Sequence, residues 1–299
     1  MASIMERSQK RTTAVRYRGL GNRRLKIVQT ILTYAILIGG ALSLLVPFFW
    51  MLSTSLKTEA EVMTWPIQWI PSKLIWDNYK QVFARTPFAR YLGNSTWLAL
   101  ATITGQLIGS TLAGFGFARM RFPGKNVLFL IMLSTMMLPA WVVIVPHFMM
   151  FQAVDWLDTY KPMIIPAFFG SPFYIFLCRQ TFLGISPELE DAARIDGASS
   201  LRIFLQIFLP LSVPTLATIA IFAFYSSWNS LIYPLVYLRT QIKFPVSLGL
   251  RLFQTAEAGV VHYPRTMAAS MVAMVPPLVL FFLAQRVFIQ GVVMTGVEK

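Results

Sequence analysis

Six stretches of this chain, 27–56, 91–118, 126–154, 162–178, 203–238 and 266–285, each run for at least 17 residues without an Asp, Glu, Lys or Arg. A helix rising about 1.5 Å per residue crosses a hydrocarbon core of about 30 Å in roughly 17–25 residues, so all six are long enough to span a bilayer. The composition fits that solvent: 56% of the 299 residues are hydrophobic and 13% are charged, against about 25% charged in ordinary soluble domains. Lipid offers the backbone no hydrogen bonds, so each span must satisfy its own as a helix. The expected fold is an all-α integral membrane protein with six transmembrane helices, near 29–53, 91–118, 126–151, 162–182, 210–238 and 266–288. A basic tail, 1–28, precedes them, and a C-terminal tail, 289–299, follows. The first apolar run, 30–52, is longer than the 7–15 residues or so of a signal-peptide core. "SLLVPFFWMLSTS" also lacks a small-residue cleavage site, so the run reads as an uncleaved span.

Lys and Arg near spans stay on the cytoplasmic side. Arg7, Lys10, Arg11, Arg16, Arg18, Arg23, Arg24 and Lys26 lie in the tail, and Arg119, Arg121 and Lys125 in the loop "RMRFPGK", whereas 152–161 has Lys161 against Asp155 and Asp158. Both termini are therefore expected inside. The net charge of +14 reads as a topology signal rather than a nucleic-acid footprint, which needs bases clustered on a soluble face.

The outside loop 54–90 holds Trp65, Trp69, Trp76 and Tyr79, residues suited to a membrane interface, and 74–83 is expected to form a short helix there. Gly105, Gly109, Ser110 and Ala113 recur at a spacing that lets helix backbones approach, and read as packing. Pro139, Pro146, Pro166, Pro172, Pro210, Pro214, Pro234, Pro276 and Pro277 interrupt spans three to six, freeing carbonyls that neighbours or a wet cavity must satisfy. His147 reads as a packing or interface residue, and the single Cys178 as a buried packing residue.

The longest inside segment between spans is acidic in a basic chain: "PELEDAARIDGASS" carries Glu188, Glu190, Asp191 and Asp196. Ser186 can cap a helix whose first residue is Pro187, Glu188 meets its positive end, and Gly197 supplies the turn. Ala192 and Ala193 leave the backbone nearly bare for another protein's groove. A second helix, begun near Ser199 or Ser200, places Leu201, Phe204, Leu205 and Phe208 on one face and leads to Pro210.

The run "EDAARIDGASSLRIFLQIFLPLSVP" resembles the EAA motif of permease subunits in bacterial ABC importers. By position, Asp191, Ala192 and Ala193 take the E-A-A places, Gly197 the glycine, Ala198 follows it in the D-G-A step, and Leu209-Pro210 close the motif. Asp191 stands where Glu is commoner, with Glu190 before it, so either acid could make the motif's contact. "IWDNYKQVF", "GFGFARMRFPGKN", "SSWNSLIYPLVYL" and "FIQGVVMTGVEK" are similar, in order, to segments of the carbohydrate-uptake subgroup. The resemblance implies the type I importer permease fold, in the inner membrane of a bacterium. It also implies a second homologous permease, two ATPase subunits that hold ATP and Mg, and an extracytoplasmic sugar-binding protein. Loop 186–209 then becomes the coupling element docked in an ATPase cleft, with Glu188, Glu190, Asp191 and Asp196 facing basic groups, Ala192 and Ala193 inside the cleft, and Ala198 and Phe204 within the element.

ATP hydrolysis by this chain itself is not expected. A phosphate-binding loop needs G-x-x-x-x-G-K-[ST], whereas Gly124-Lys125 is followed by Asn126 and preceded, five positions before the glycine, by Arg119. No metal-ligand motif is present, and no catalytic residue or metal site is expected. A sugar brings many hydroxyls, and burying one unpaired costs roughly 2–7 kcal/mol. Span five offers Tyr225, Ser226, Ser227, Trp228, Asn229 and Tyr233 as a solute path, Trp228 and Asn229 first among them; helix–helix hydrogen bonding is the alternative role for these groups. Two other functions stay open: an ion-coupled secondary transporter of a polar solute, which would want ionisable groups inside its spans, and a membrane-embedded enzyme using Asp155 and Asp158.

Overall fold

The computed structural model describes residues 21–254 and 261–294, with side chains at 25–139, 141–253 and 261–285. The part of the basic tail carrying Arg7 to Arg18, and residues 295–299 of the C-terminal tail, lie outside the described residues. No strand occurs among the described residues. The helices are α1 (Gly21–Ser55), α2 (Asp77–Arg85), α3 (Phe88–Arg119), α4 (Lys125–Ser134), α5 (Ala140–Ala153) and α6 (Pro172–Gly184). They continue as α7 (Pro187–Ile195), α8 (Ser200–Ile203), α9 (Val213–Trp228), α10 (Ile232–Tyr237), α11 (Val246–Gln254) and α12 (Tyr263–Met294).

Among the described residues, four helices are long and apolar enough to cross a membrane, Leu25–Ser55, Phe88–Arg119, Lys161–Gly184 and Tyr263–Gln285. Two bent pairs, Lys125–Met137 with Trp141–Ala153 and Ser200–Leu211 with Val213–Trp228, bring the number to six when each counts as one span. The bends have local causes. Between α4 and α5 the axis turns by 105°. Pro139 has no N–H to give and pushes the preceding Leu138 out of the helical region, to φ −78° and ψ 120°. Pro146, by contrast, lies inside α5, and Pro276 and Pro277 inside α12.

α3 is the axis of the bundle, packed against α6, α9 and the 3₁₀ turn Ile165–Phe169. Its small residues set the approach. A Cβ on Gly109 would lie 2.3 Å from the Phe168 carbonyl oxygen and 2.5 Å from the Gly170 nitrogen, and one on Gly114 would lie 2.5 Å from Cys178 Cβ. Lipid is as apolar as a leucine side chain, so van der Waals contact between close backbones, not water exclusion, holds these helices together. The fourth span is unwound where it meets α3: Gly170 adopts φ +78°, and the Ser171 N–H donates to Gln106 Oε1 at 2.8 Å. Gln106 thus supplies the partner that a regular turn would have supplied. α1 stands at the periphery with its apolar side chains exposed from Leu25 to Phe49, and packs chiefly on α12.

One end of the bundle is tied by polar side chains. Asn78 donates to the Ser55 and Lys57 carbonyls at 2.9 Å each, fixing α2 under the end of α1; the helix begins at Asp77 rather than 74. Asp158, at φ +54°, receives the backbone N–H groups of Arg239 and Thr240 at 3.0 Å, the Thr240 hydroxyl at 2.6 Å and Lys243 Nζ at 2.8 Å. Burial opposes its ionisation, but Lys243, Thr240 and the two amides outweigh it and hold the carboxyl well below the usual range. α11, an element without a counterpart in the charge-free runs, closes this end. Asn94 donates to Ile242 O and Phe244 O, and Val246 N–H to Ser95 Oγ.

Gly109→Ala should lower thermal stability in detergent by about 1–3 kcal/mol, since only backbone could yield. Gly116→Ala, with open space around the new methyl, should be neutral or slightly stabilising. For Asp158 the depressed carboxyl contributes stability at every pH above about 4, which is lost as pH falls below that value. Asp158→Asn should therefore lower the neutral-pH melting transition by an amount equivalent to about 2 kcal/mol. Its stability should also fall less steeply than wild type between about pH 4 and 3.

Candidate coupling element and solute cavity

The acidic segment folds as its residues dictate. Ser186 Oγ accepts the Glu188 N–H at 3.3 Å, Pro187 takes the first helical position, and α7 ends where Gly197 turns at φ +78°. The Gly197 and Ala198 N–H groups return to the Arg194 and Ala193 carbonyls, and Ser199 Oγ then caps α8 through the Arg202 N–H. On this helix Glu188, Asp191, Ala192 and Ile195 are exposed, Ile195 to 87%. Asp196 and Leu189 are exposed beside them.

Two expected outward groups point elsewhere. Ala193 is half-buried, packed with Ala198 against the core, so only Ala192 of the alanine pair is fully presented. Glu190 is 8% exposed. Its Oε1 accepts from Arg194 Nη2 at 2.8 Å, and its Oε2 lies 3.8 Å from Arg119 Nη1. Both motif acids cannot share a face because consecutive helical residues are about 100° apart, and the inward one is Glu190. The exposed acid at the E position is Asp191.

Behind α7 lies an aromatic cluster. Phe115 of α3 meets Phe204 at 5.2 Å and Phe208 at 5.1 Å between ring centroids, and Phe182 of α6 meets Phe208 at 5.6 Å. Phe204, expected within the coupling element, is buried here as its mount. Residues Phe204–Phe208 form a π-helical turn. Leu209 is half-buried against the cluster and Pro210 is exposed at the elbow, where the chain turns by 78° into α9. Such turns recur at functional sites because one extra residue per turn loosens the helix.

Toward the middle of α3 a cavity of about 560 Å³ opens among α3, α5, the unwound fourth span and the α9–α10 break. Its polar lining comes from Thr102, Gln106, His147, Ser226, Ser227 and Tyr233, with Ser230 at the break. Span five therefore places three of its six expected path residues on the wall. Trp228 is instead 4% exposed: its indole N–H donates to Ala273 O at 3.2 Å and its ring stacks on Phe224. Asn229 caps its own helix by donating to Tyr225 O at 3.1 Å, and Tyr225 is exposed away from the cavity. Thr102 and Gln106 were not read from the sequence, although a Gln inside a charge-free run is itself a signal. His147 both approaches Phe151, at 5.9 Å, and faces the cavity. Asp158 is held in its loop by the Arg239 and Thr240 amides and by Lys243.

Comparison with known proteins accords with this geometry. Residues 105–294 match the family described as binding-protein-dependent transport system inner membrane component. The arabinooligosaccharides transport system permease protein AraQ of Halalkalibacterium halodurans is 34% identical over 274 residues, 90% of this chain and 97% of that protein. The sn-glycerol-3-phosphate transport system permease protein UgpE of Pectobacterium atrosepticum is 32% identical over 269 residues, 88% and 95% of the two chains. A chain of a bacterial ABC transporter involved in import of the acidic polysaccharide alginate superposes with a TM-score of 0.77 at 24% identity, covering 90% of this chain and 98% of that one. With the fold, the membrane-spanning helices and these relatives in agreement, the chain belongs to the binding-protein-dependent transport system inner membrane components.

Proposed function

We propose that this chain is the permease subunit of an ATP-driven importer that moves a sugar or oligosaccharide inward, with energy delivered through α7 by a separate ATPase. The observation that carries the reading is the outward face of α7: an acidic, small-residue surface of Glu188, Asp191 and Ala192, with Ile195 at 87% exposure. An apolar side chain so exposed in a ring of acids fits a cleft with an apolar floor and basic rim better than it fits water. The chain itself holds no ATP site; ATP and Mg belong to two ATPase subunits, and a second homologous permease and an extracytoplasmic binding protein complete the assembly. The charge bias supports a cytoplasmic side for α7 and both termini.

The mechanism follows from packing. Nucleotide-bound ATPases shift the permease between inward- and outward-open states only as far as they bind one state better, and moving a population from 1:99 to 99:1 takes about 5.5 kcal/mol of preference. α7 rests on close-packed rings, which transmit displacement instead of absorbing it. The elbow at Pro210–Pro214 breaks the helix between the acidic segment and α9, so the two can change their angle. The cavity supplies hydroxyl, amide and imidazole groups and no Lys, Arg, Asp or Glu on its wall, a lining matched to a neutral polyhydroxylated solute. Named relatives of this chain are permeases of sugar and glycerol-phosphate transport systems, which leaves the ion-coupled reading without support.

Ala192→Arg should abolish uptake and binding-protein-stimulated ATP hydrolysis while the chain still inserts, because a long cation replaces a methyl on the docking face. Retained stimulation would end the coupling assignment. Ser227→Leu should lower uptake of the cognate sugar about tenfold, the worth of one lost hydrogen bond to a buried hydroxyl, with stimulated ATP hydrolysis retained. Unchanged uptake would remove this cavity from the path.

A further inference from the structure

The cations that read as a topology signal do a second job at the coupling end of the bundle. α3 and α6 run in the same direction, so their negative C-terminal ends lie side by side, an unfavourable pairing of macrodipoles. Each is capped by the other's arginine. Arg179 of α6 donates to Phe117 O at 3.2 Å, and Lys125 to Met120 O at 2.9 Å and Ala118 O at 3.2 Å. Arg119 of α3 reaches the other way, donating from Nη2 to Phe182 O at 2.7 Å and to Ile185 O at the end of α6. Its guanidinium lies 5.0 Å from the Phe208 ring centre, and Nη1 is 3.8 Å from Glu190. Both side chains of that ion pair are 11% exposed.

From this we infer that Arg119 and Glu190 are positioning residues for coupling: Glu190 does not face the ATPase but couples α7 to the cytoplasmic end of α3 through Arg119. Loop 186–209 is bonded covalently only to spans four and five. Arg119 adds the second span, and it touches α3, α6, α7 and the π-helical turn from one planar group. Glu190 also holds Arg194 on its own helix at 2.8 Å, so displacement of α7 leaves Glu190 paired but strips the carboxylate from the buried Arg119 guanidinium, and that loss is costly. Breaking such a pair is a discrete event rather than a gradual one, as a switch requires. A lysine could not reproduce it, since one ammonium cannot satisfy two carbonyls, a carboxylate and an aromatic face in a plane.

This rests on α7 being the ATPase-docking element, and the test separates the two. Complexes of the chain with its partner permease and ATPases are reconstituted in liposomes as wild type, Glu190→Gln, Arg119→Lys, the double variant and Ala192→Arg. Retained ATPase subunits, ATP hydrolysis and solute moved per ATP are measured on each. The expected result is that Glu190→Gln and Arg119→Lys keep their ATPases but move about tenfold less solute per ATP, and that the double variant is no worse than either single one. A merely structural role would lower thermal stability and leave solute per ATP unchanged, which would overturn the assignment. So would independent, multiplying losses in the double variant, or loss of the ATPases from Glu190→Gln, which would make Glu190 a docking residue. Retention of the ATPases by Ala192→Arg would instead count against the docking reading itself. Glu190→Gln leaves every Arg119 cap intact, so the question stays answerable even where Arg119→Lys fails to assemble.

Discussion

Backbone groups in a bilayer interior have no water to turn to, and most of this structure follows from where they go instead. A straight bundle would satisfy them within each helix and could not move. Here the fourth span unwinds at Gly170, the third breaks at Pro139, and the fifth bends before Val213 and stops at Trp228. Side chains take up several of the groups left over. Gln106 takes the Ser171 N–H, Trp228 takes the Ala273 carbonyl beside Pro276 and Pro277, and Asn229 takes the Tyr225 carbonyl. α3 stays unbroken over 32 residues because its small residues let these irregular partners approach its backbone directly.

The same constraint locates the cavity and the acidic helix. Irregular backbone at membrane depth persists where it is buried in protein or lines a polar space. The cavity lies where the unwound fourth span and the α9–α10 break face each other across α3. At the bundle end, helix termini present carbonyls that regular structure cannot use, and Arg119, Arg179 and Lys125 use them. A cluster of phenylalanine rings fills the space between, so the acidic helix is carried on groups with specific packing geometry instead of on a loose loop. Aromatic rings meeting edge to face have few alternative arrangements of equal energy. That suits the coupling role proposed for this helix.

The local structure of the acidic segment was legible in detail: cap, proline, glycine turn and second cap all formed where Ser186, Pro187, Gly197 and Ser199 demanded, since these are interactions of near neighbours. The small-residue stripe of α3 was legible as packing for the same reason. Trp228 and Asn229, expected first on the solute path, lie off the cavity wall, because a polar group in a span has two uses, a solute or the protein itself, and these two bond to the Ala273 and Tyr225 carbonyls. α11 escaped notice because Arg251 interrupts its apolar pattern, and its packing onto Tyr91 requires Gly249, where a Cβ would lie 2.3 Å from the ring.

What the sequence alone determined is what depends on chain-local free energy: six runs that lipid accepts, a bias of basic residues among the loops, and a capped acidic helix between the fourth and fifth. What only the tertiary structure decided is direction. Glu190 and Asp191 are adjacent and nearly identical in chemistry, yet one is buried against Arg119 and the other is exposed. That division depends on a guanidinium about 70 residues earlier in the chain, brought near by the packing of α3 against α6. Pairing energies act through space, and no local pattern of residues encodes which side of a helix will meet them.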